Sequence, residues 1–482
     1  MVRLTWLAAL AYAIFLAVLF SSEPGGSDSS GYLNSARLLT QGRIATELRT
    51  VPELAGGSPY DFQPLGFVAS ETTTRLAPSY PVGLPLHLAV TGGLLGWHVG
   101  TYLTIIGGAF VALLACYAVA RELGVSRLFA TLAVASLALC RVFLFGSVQP
   151  LSDTLATAWC TLAVLAALRA RRGSLAWAAA CGLGFAIAVL VRPSSVVLLP
   201  ALVIFLGNWR RIVVTGLAGA PFAALLGLYQ NYLYGHPTRS GYGPIFGIFG
   251  PEYVWPSLRN FSTWIAGSLP MALLALPALY LLPWRRMGRT LAGLFAWAAA
   301  FIAFYAFYQV SPDDWTCLRF ITPAFPPLLI LAALGLDLAS GWIDRTRREK
   351  FCWQAAAVIL ALAAALNFGF GVPNARRHER MFAEAEVWAK KNLPADAIVV
   401  SMFFSGTLYF HTDLPVLRWD SVSDETGPKY LAALRRSGRP VFAIVHPFEL
   451  EDTRIKRIPG KWEKLTDLGQ ASAWRILPEA GP

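Results

Sequence analysis

The stretch EPGGSDSSGY at residues 23–32 directly follows an apolar segment, residues 4–20, near the N-terminus. This polar stretch contains one aspartate, Asp28, and leads into an amphipathic helix that we predict from Leu33 to Gln41. It opens a long polar loop in a chain that is otherwise almost wholly apolar. A carboxylate next to a membrane surface means little by itself, but its position at the start of this loop makes Asp28 the leading candidate for a functional residue.

The overall composition predicts an integral membrane protein. Of the 482 residues, 56% are hydrophobic and 14% are charged, and the mean hydropathy is +0.52, whereas in a soluble domain about 25% of the residues are charged. The net charge of +12 comes largely from short arginine clusters between apolar segments, which orient membrane spans. No basic stripe with interleaved aromatic residues is present, so nucleic acid is not a predicted partner.

Apolar segments close to the length of a membrane span, about 20 residues, recur along the chain and predict about eleven transmembrane helices. We place them near residues 4–20, 99–120, 127–147, 151–168, 175–191, 193–207, 211–233, 265–283, 290–309, 319–341 and 352–371. A further apolar stretch, residues 82–97, contains several prolines and glycines, and we predict that it is re-entrant or interfacial.

The positive-inside rule is consistent with these spans, because the basic clusters fall on every second connection. These clusters are Arg3; Arg121 and Arg127; Arg169, Arg171 and Arg172; Arg210 and Arg211; Arg285, Arg286 and Arg289; and Arg345, Arg347, Arg348 and Lys350. The pattern predicts a cytoplasmic N-terminus on an uncleaved first span. The first loop (21–98), the loop around 149–153, the loops 234–264 and 311–318, and the tail from residue 373 are then extracytoplasmic.

The tail differs in composition from the rest of the chain and predicts a second domain. A charged helical stretch, Arg376 to Asn392, is followed by strand-like runs at Ala397–Phe404 and Pro440–His446, with a helical pattern at Pro428–Arg436 between them. We therefore predict a transmembrane domain over residues 1–372 and a small extracytoplasmic α/β domain over residues 373–482.

Motifs for several chemistries are missing from the sequence. It has no Walker A motif, no dinucleotide-binding glycine fingerprint after a strand and no HExxH. The six cysteines show no CxxC pair or ligand-like spacing, so neither disulfides nor a cysteine zinc site is predicted. The sequence indicates no definite cofactor and no metal ligands, and it leaves a divalent cation open.

The predicted topology limits the substrates that an enzyme of this kind could use. Extracytoplasmic compartments lack ATP and nucleotide sugars, so a substrate carried across the membrane on a lipid phosphate is the simplest donor. Transfer of such a sugar to a hydroxyl needs a carboxylate as base, and Asp28 can fill that role. Departure of the phosphate needs cations, and the candidates are Arg192, Arg319 and Arg75.

Several motifs in a fixed order resemble the GT-C glycosyltransferases, and within them the branch of protein O-mannosyltransferases (glycosyltransferase family 39) and lipid A aminoarabinose transferases. In chain order the motifs are SDSSGYLNSARLLTQG (27–42), PSYPVGLP (78–85), QPLSD (149–153), RP (192–193), NYLYG (231–235) and RFITP (319–323). The resemblance covers essentially the whole chain, although each motif is short.

The resemblance implies a polytopic α-helical GT-C fold and an inverting transfer from a polyprenyl-phosphate sugar, with Asp28 as the base. The acceptor would be a hydroxyl on a lipid, a polysaccharide or a protein. Tyr32, Tyr80 and Asp153 are expected to line the site. Family members often carry a second acidic residue next to the first, whereas this chain has Ser29, which argues against a scheme with two carboxylates bridged by a metal. The resemblance favours a bacterial inner membrane with a periplasmic active side.

Each candidate residue also has a structural interpretation. Asp28 could cap a helix over residues 29–41, and Asp153 could cap the span that follows it. Arg192 could extend toward lipid headgroups, and Arg319 could pair with two nearby aspartates.

Two other functions compete with glycosyl transfer. A transporter or a flippase for lipids or lipid-linked sugars would also have many spans, but such proteins often show internal repeats, which we do not find here. A non-catalytic GT-C protein could bind a lipid-linked glycan or act as a scaffold. Loss of activity on substitution of Asp28 would separate an enzyme from both alternatives.

Overall fold

A computed structural model describes residues 2–69, 75–243 and 247–477. The described residues are mostly helical. The α-helices are α1 Val2–Leu19, α2 Asp28–Thr40, α3 Gly83–Leu95, α4 Trp97–Glu122, α5 Arg127–Leu139, α6 Arg141–Ser147, α7 Ser152–Ala170, α8 Leu175–Val191, α9 Leu199–Leu206, α10 Trp209–Tyr234, α11 Val254–Ser268, α12 Ala275–Leu281, α13 Trp284–Ala306, α14 Phe325–Gly341, α15 Arg345–Gly369, α16 Ala375–His378, α17 Arg380–Asn392, α18 Ser405–His411, α19 Thr426–Arg436 and α20 Pro447–Glu451.

Short strands and 3-10 helices complete the secondary structure. The strands are β1 Phe67–Ala69, β2 Leu76–Pro78, β3 Ile398–Val400, β4 Val416–Leu417, β5 Val441–Val445, β6 Lys461–Leu468 and β7 Ala471–Leu477. Two 3-10 helices, Pro193–Leu198 and Trp315–Ala324, run directly into α9 and α14. Because proline lacks an amide hydrogen and clashes with a preceding helical turn, Pro193 ends α8 where it does.

Six helices of the described chain are long and apolar enough to cross a membrane, or up to eight if each of two bent pairs is one span. The predicted class, a multi-pass helical membrane protein, is confirmed, and every predicted span overlaps a helix. The predicted number of about eleven is not confirmed, because several of these helices are shorter than a full span. Among these shorter apolar helices are residues 7–19, 175–191 and 193–206.

The predicted span 265–283 is wrong in its boundaries. Helix α11 already begins at Val254, inside the stretch predicted to be loop 234–264, and the chain bends by 113° before the segment that starts at Pro270. Proline at this position cannot donate a hydrogen bond to the preceding turn and clashes with it, which favours a bend here. The predicted span 127–147 is likewise divided, with a bend of 66° between α5 and α6.

The chain forms two compact units. The first, hereafter the helical unit, contains residues 1–20, 102–226 and 244–374. Its core is a continuous apolar cluster with alanines at close helix crossings and large buried rings such as Trp297, Phe301 and Phe325. Small residues let helix backbones approach closely, which is how helices pack where no water drives their association.

The second unit, hereafter the mixed unit, contains residues 21–101, 227–243 and 375–482. Its centre is a five-stranded sheet in the order β4-β3-β5-β7-β6, with β3 parallel to β4 and β5, and with β7 antiparallel to β5 and β6. Alternate side chains of β3 and β5 pack into two separate apolar clusters, one on each face of the sheet. This alternation follows from the two-residue repeat of a strand.

Most of the predicted elements in the tail are confirmed. Strands β3 and β5 lie within the two predicted strand runs, and α17 and α19 lie where helices were predicted. The first run ends early, at Val400, because the chain then turns into α18. Strands β6 and β7 were missed, although the two-residue turn Gly469-Gln470 between them has the glycine, at φ +63°, that a tight hairpin turn favours.

Residues of the first loop pack against this sheet within the mixed unit. Val51, Leu54 and Phe62 belong to the apolar cluster on one face. Asp61 accepts a hydrogen bond of 2.8 Å from the hydroxyl of Tyr430. The first loop is therefore part of the same compact unit as the C-terminal segment.

Candidate active site

Asp28 lies at the beginning of α2, in the mixed unit. The helix begins at Asp28 rather than at the predicted Leu33, and its N-cap is Ser27, whose side chain makes no capping hydrogen bond. The alternative interpretation of Asp28 as an N-cap is therefore wrong. Asp28 is the first helical residue, where its negative charge is favourably placed at the positive end of the helix dipole.

The side chain of Asp28 is held by Tyr80. The hydroxyl oxygen of Tyr80 lies 2.5 Å from Oδ1 of Asp28 and 2.8 Å from Oγ of Ser27. A phenol has a single proton, and an ionised carboxylate can only accept, so the proton of Tyr80 is directed to Asp28. The contact fixes the orientation of the carboxylate, and the neutral phenol itself contributes no compensating positive charge.

The environment keeps the Tyr80 hydroxyl protonated. Burial raises the pKa of Tyr80 well above its ordinary value, and the nearby charge of Asp28 raises it further. A hydroxyl with a raised pKa stays a donor across the whole physiological range. Tyr80 is therefore suited to orient the Asp28 carboxylate and is poorly suited to act as an acid or a base itself.

Close backbone approaches make room for the Tyr80 ring beside α2. A Cβ atom on Gly31 would collide with the Tyr80 ring and would lie 3.0 Å from the Cα of Gly66. Gly66 itself has φ +88°, a conformation that side-chain-bearing residues rarely adopt. The position of Tyr80 against Asp28 thus depends on two glycines that are distant in sequence.

Two more tyrosines surround this contact. The rings of Tyr32 and Tyr80 have centroids 4.9 Å apart, and Tyr242 meets Tyr80 edge-on at 5.8 Å. Tyr32 is buried, whereas 49% of Tyr242 is exposed. The structure therefore brings the predicted site residues Asp28, Tyr32 and Tyr80 together. Tyr242 was missed, because it follows the NYLYG motif in a loop with no pattern of its own.

Helix α2 is anchored in the mixed unit by hydrogen bonds to α18. The side-chain amide of Asn34 donates to the carbonyl of Gly406 over 2.9 Å, and the guanidinium of Arg37 donates to the carbonyl of Phe410. Every residue of α2 from Ser29 to Ala36 is buried. Asp28 therefore stands at the end of a helix with a well-defined position.

Asp153 and Arg192 form an ion pair in the helical unit. Asp153 lies in the first turn of α7, and Nη1 of Arg192 is bonded to its Oδ1. The two side chains are only 6% and 12% exposed, so the pair is largely removed from water. Arg192 precedes Pro193 and has an extended backbone, because the proline ring disfavours a helical conformation in the residue before it.

Aromatic rings place the two arginine candidates of the helical unit near each other. Nε of Arg192 donates to the hydroxyl of Tyr305 over 3.0 Å, and Ser194 Oγ lies 2.7 Å from the same hydroxyl. The Arg192 and Arg319 guanidinium carbons lie 5.4 Å and 5.2 Å from the centroid of the Phe320 ring. Both arginines therefore meet at one ring, which stacks in turn on Tyr305.

Arg75 has different surroundings from the other two arginines. It belongs to the mixed unit, immediately before β2, and it is exposed. Tyr305 and Ser194 belong to no motif that the sequence analysis singled out, and Phe320 lies in the RFITP motif but was not itself predicted as a site residue. Their contacts with the arginines become evident only in the folded structure.

Comparison with solved structures identifies the fold. The chain superimposes on crystal structures of ArnT from Cupriavidus metallidurans, in the apo state and bound to undecaprenyl phosphate, with a TM-score of 0.60 and 16% identity in each case. The alignments cover 98% of both chains for the apo structure and 99% of both chains for the complex. The mycobacterial arabinofuranosyltransferase AftD aligns with 14% identity and a TM-score of 0.48, over 96% of this chain and 41% of that chain.

The predicted resemblance to the GT-C fold is confirmed, since ArnT is a lipid A aminoarabinose transferase with that fold. No known family profile matches the sequence, and no curated protein sequence matches it. The chain thus has the GT-C fold, although its sequence is only 16% identical to that of ArnT.

Proposed function

We propose that this protein is a glycosyltransferase that moves a sugar from a polyprenyl-phosphate donor to a hydroxyl acceptor outside the cytoplasm. The observation that carries the proposal is the Asp28 carboxylate, half-buried in the first turn of α2 and oriented by the Tyr80 hydroxyl at 2.5 Å. The fold adds support, because an ArnT of the same fold binds undecaprenyl phosphate.

In the proposed reaction Asp28 is the general base. It takes the proton of the acceptor hydroxyl while that oxygen bonds to C1 of the sugar, and the bond from C1 to the phosphate oxygen breaks on the opposite face. One displacement of this kind inverts the configuration at C1. General-base catalysis of this type contributes typically about 10²- to 10⁴-fold in rate.

Departure of the lipid phosphate needs positive charge, and Arg192 and Arg319 are the best supported candidates. They share the Phe320 ring, so both guanidinium groups belong to one region of the helical unit. The planar guanidinium matches the geometry of phosphate oxygens better than an ammonium does. Arg75 remains a third candidate and has weaker support, because it lies exposed in the other unit.

The predicted orientation belongs to the same proposal. We propose that the protein resides in a bacterial inner membrane with its N-terminus in the cytoplasm. The first loop and residues 373–482 would then face the periplasm, where the lipid-linked donor is accessible. The arginine clusters between spans support this orientation.

The test is a transfer assay with membranes that contain the wild-type protein or the Asp28→Asn variant. Labelled polyprenyl-phosphate sugars and a cell-envelope extract serve as donors and acceptors, and the label moved to any acceptor is measured. We expect transfer by the wild type and at least a roughly hundredfold loss in the variant. The identity of the labelled product would define the sugar and the acceptor.

A matched control is Asp413→Asn, because this aspartate belongs to the same unit but has a side chain that is 98% exposed. It should transfer at the wild-type rate. Transfer that survives Asp28→Asn would place the base elsewhere. No transfer from any donor would contradict a glycosyltransferase and favour a flippase or a non-catalytic scaffold.

A further inference from the structure

Three side chains from separate segments of the mixed unit converge at a second place. Glu23 lies between α1 and α2, Glu386 lies in α17, and His411 is the last residue of α18. One ligand atom from each of the three lies within 4.8 Å of the others. Two carboxylates and an imidazole, all partly buried, form the kind of donor set that binds divalent transition metals.

The histidine in this cluster has an unsatisfied nitrogen. Nδ1 of His411 lies 2.9 Å from Oε1 of Glu386, while Nε2 is buried and has no hydrogen-bond partner in the part of the chain that the structure describes. A neutral imidazole is the form that coordinates a metal, and a buried ring nitrogen without a partner is costly.

The charges around the cluster are unbalanced toward the negative. Glu379 also has a buried carboxylate oxygen without a hydrogen-bond partner among the described residues. This carboxylate interacts electrostatically with that of Glu23. A bound cation would stabilise the charged form of these carboxylates.

One cation already contacts the cluster. Nζ of Lys390 lies 2.6 Å from Oε1 of Glu386, one turn away on the same helix. This ammonium is half-exposed, and it neutralises one of the carboxylates. It would therefore compete with a metal for Glu386. Removing this ammonium should then raise the affinity for the metal, which an experiment can test.

We propose that Glu23, Glu386 and His411 bind a divalent transition-metal cation of the zinc class. The proposal is independent of the transferase reaction and assigns the metal no catalytic step. Two ligands of a tetrahedral zinc are about 3.3 Å apart, given bonds of about 2.0–2.1 Å, so the three side chains would move slightly inward on binding.

The bound metal would connect the segment before α2 to two helices of the C-terminal part of the mixed unit. One contact of this segment is already present, since the Thr407 hydroxyl donates to the carbonyl of Pro24 over 2.6 Å. Glu23 is five residues before Asp28, so a metal at Glu23 would restrict the motion of this segment.

The experiment measures zinc binding by the purified full-length protein in detergent, after removal of metals with a chelator. Isothermal titration with zinc alone, together with elemental analysis, should give one zinc ion per chain. Loss of a hydrogen-bonding neighbour of a metal ligand typically costs about 10- to 100-fold in affinity, so loss of a ligand in His411→Gln should cost at least about 100-fold. X-ray absorption at the zinc edge should show oxygen and nitrogen neighbours without sulfur, since the six cysteines all lie in the helical unit.

Two further variants make the result specific. Glu384→Gln changes a partly exposed carboxylate on the same helix, which pairs with Arg380, and should leave zinc affinity unchanged. Lys390→Met removes the competing ammonium and should raise zinc affinity, which tests the site even where a ligand variant fails to fold. The proposal is overturned if the wild type binds no zinc, if His411→Gln binds as tightly as the wild type, or if Lys390→Met leaves the affinity unchanged.

Discussion

The two units of this protein hold their most interesting aspartates in opposite ways. In the mixed unit, Asp28 receives a hydrogen bond from a neutral phenol, Tyr80. In the helical unit, Asp153 is bonded to a cation, Arg192, in a pair that is largely buried. A neutral donor orients a carboxylate and preserves its charge, whereas a guanidinium compensates that charge. The first arrangement suits a group that must accept a proton, and the second suits a group that holds an arginine in position.

The largest expected effect follows from Asp28→Asn, which removes the basic oxygen and preserves the size of the side chain. We expect the rate of transfer to fall by about 10²- to 10⁴-fold, while the midpoint of thermal unfolding stays close to that of the wild type. Transfer assays and thermal unfolding in detergent measure the two quantities on the same preparation. An equal loss of rate and stability would mean that Asp28 is a structural residue.

Asp153→Asn should show the opposite profile. It leaves the buried guanidinium of Arg192 without its counter-charge, which typically costs about 3–5 kcal/mol of stability. Thermal unfolding should therefore occur at a lower temperature. Asp153→Glu, which keeps the charge, should recover much of the loss.

A double variant, Asp153→Asn with Arg192→Gln, tests whether the ion pair is the cause. If the two residues act through each other, the double variant should be less destabilised than the sum of the single changes. Additive losses would instead indicate that the aspartate acts mainly as a charge at the start of α7.

Tyr80→Phe should have a smaller effect than either aspartate change. It removes one hydrogen bond to a charged group, worth about 1.5–3 kcal/mol, so we expect a rate loss of about tenfold or somewhat more with a similar KM. Because the pKa of Tyr80 is raised, the hydroxyl stays protonated as the pH rises, and the ratio of wild-type to variant rates should be constant between about pH 6 and pH 9.

Gly31→Ala should disturb the hydrogen bond between Tyr80 and Asp28 indirectly, because the added methyl group would occupy the place of the Tyr80 ring. It should reproduce the loss seen with Tyr80→Phe, and combining the two should add little to the rate loss. If the ratio of wild-type to Tyr80→Phe rates changed steeply with pH, Tyr80 itself would be shown to transfer a proton.

The smallest effect should come from Arg75. This arginine is exposed, so Arg75→Ala should change the KM for the lipid donor by no more than a few fold. Arg319→Ala, at the Phe320 ring that Arg192 also contacts, should raise the same KM more strongly. If Arg75→Ala has the larger effect, the donor phosphate is held in the mixed unit and the contrast between the two units must be revised.

The start of α2 shows where prediction from sequence failed. Residues 27–31 are SDSSG, and aspartate, serine and glycine are weak helix formers, so the predicted helix began at Leu33. In the structure Ser29, Ser30 and Gly31 are buried, and Gly31 lies against Gly66 and Tyr80. Packing against distant parts of the chain therefore outweighed local propensity. The bend before Pro270 has a local cause, the proline itself, and it was missed because hydropathy alone suggested one span.

The sequence by itself determined the class of protein, because long apolar segments and clustered arginines are local properties that specify membrane helices. It also determined the candidates, since polar residues next to such segments are few. Only the tertiary structure decided which of them meet. Tyr80 lies 52 residues from Asp28, and Arg192 lies 39 residues from Asp153 and 113 from Tyr305. No local propensity encodes such contacts, because they form only once separate helices and loops have packed together.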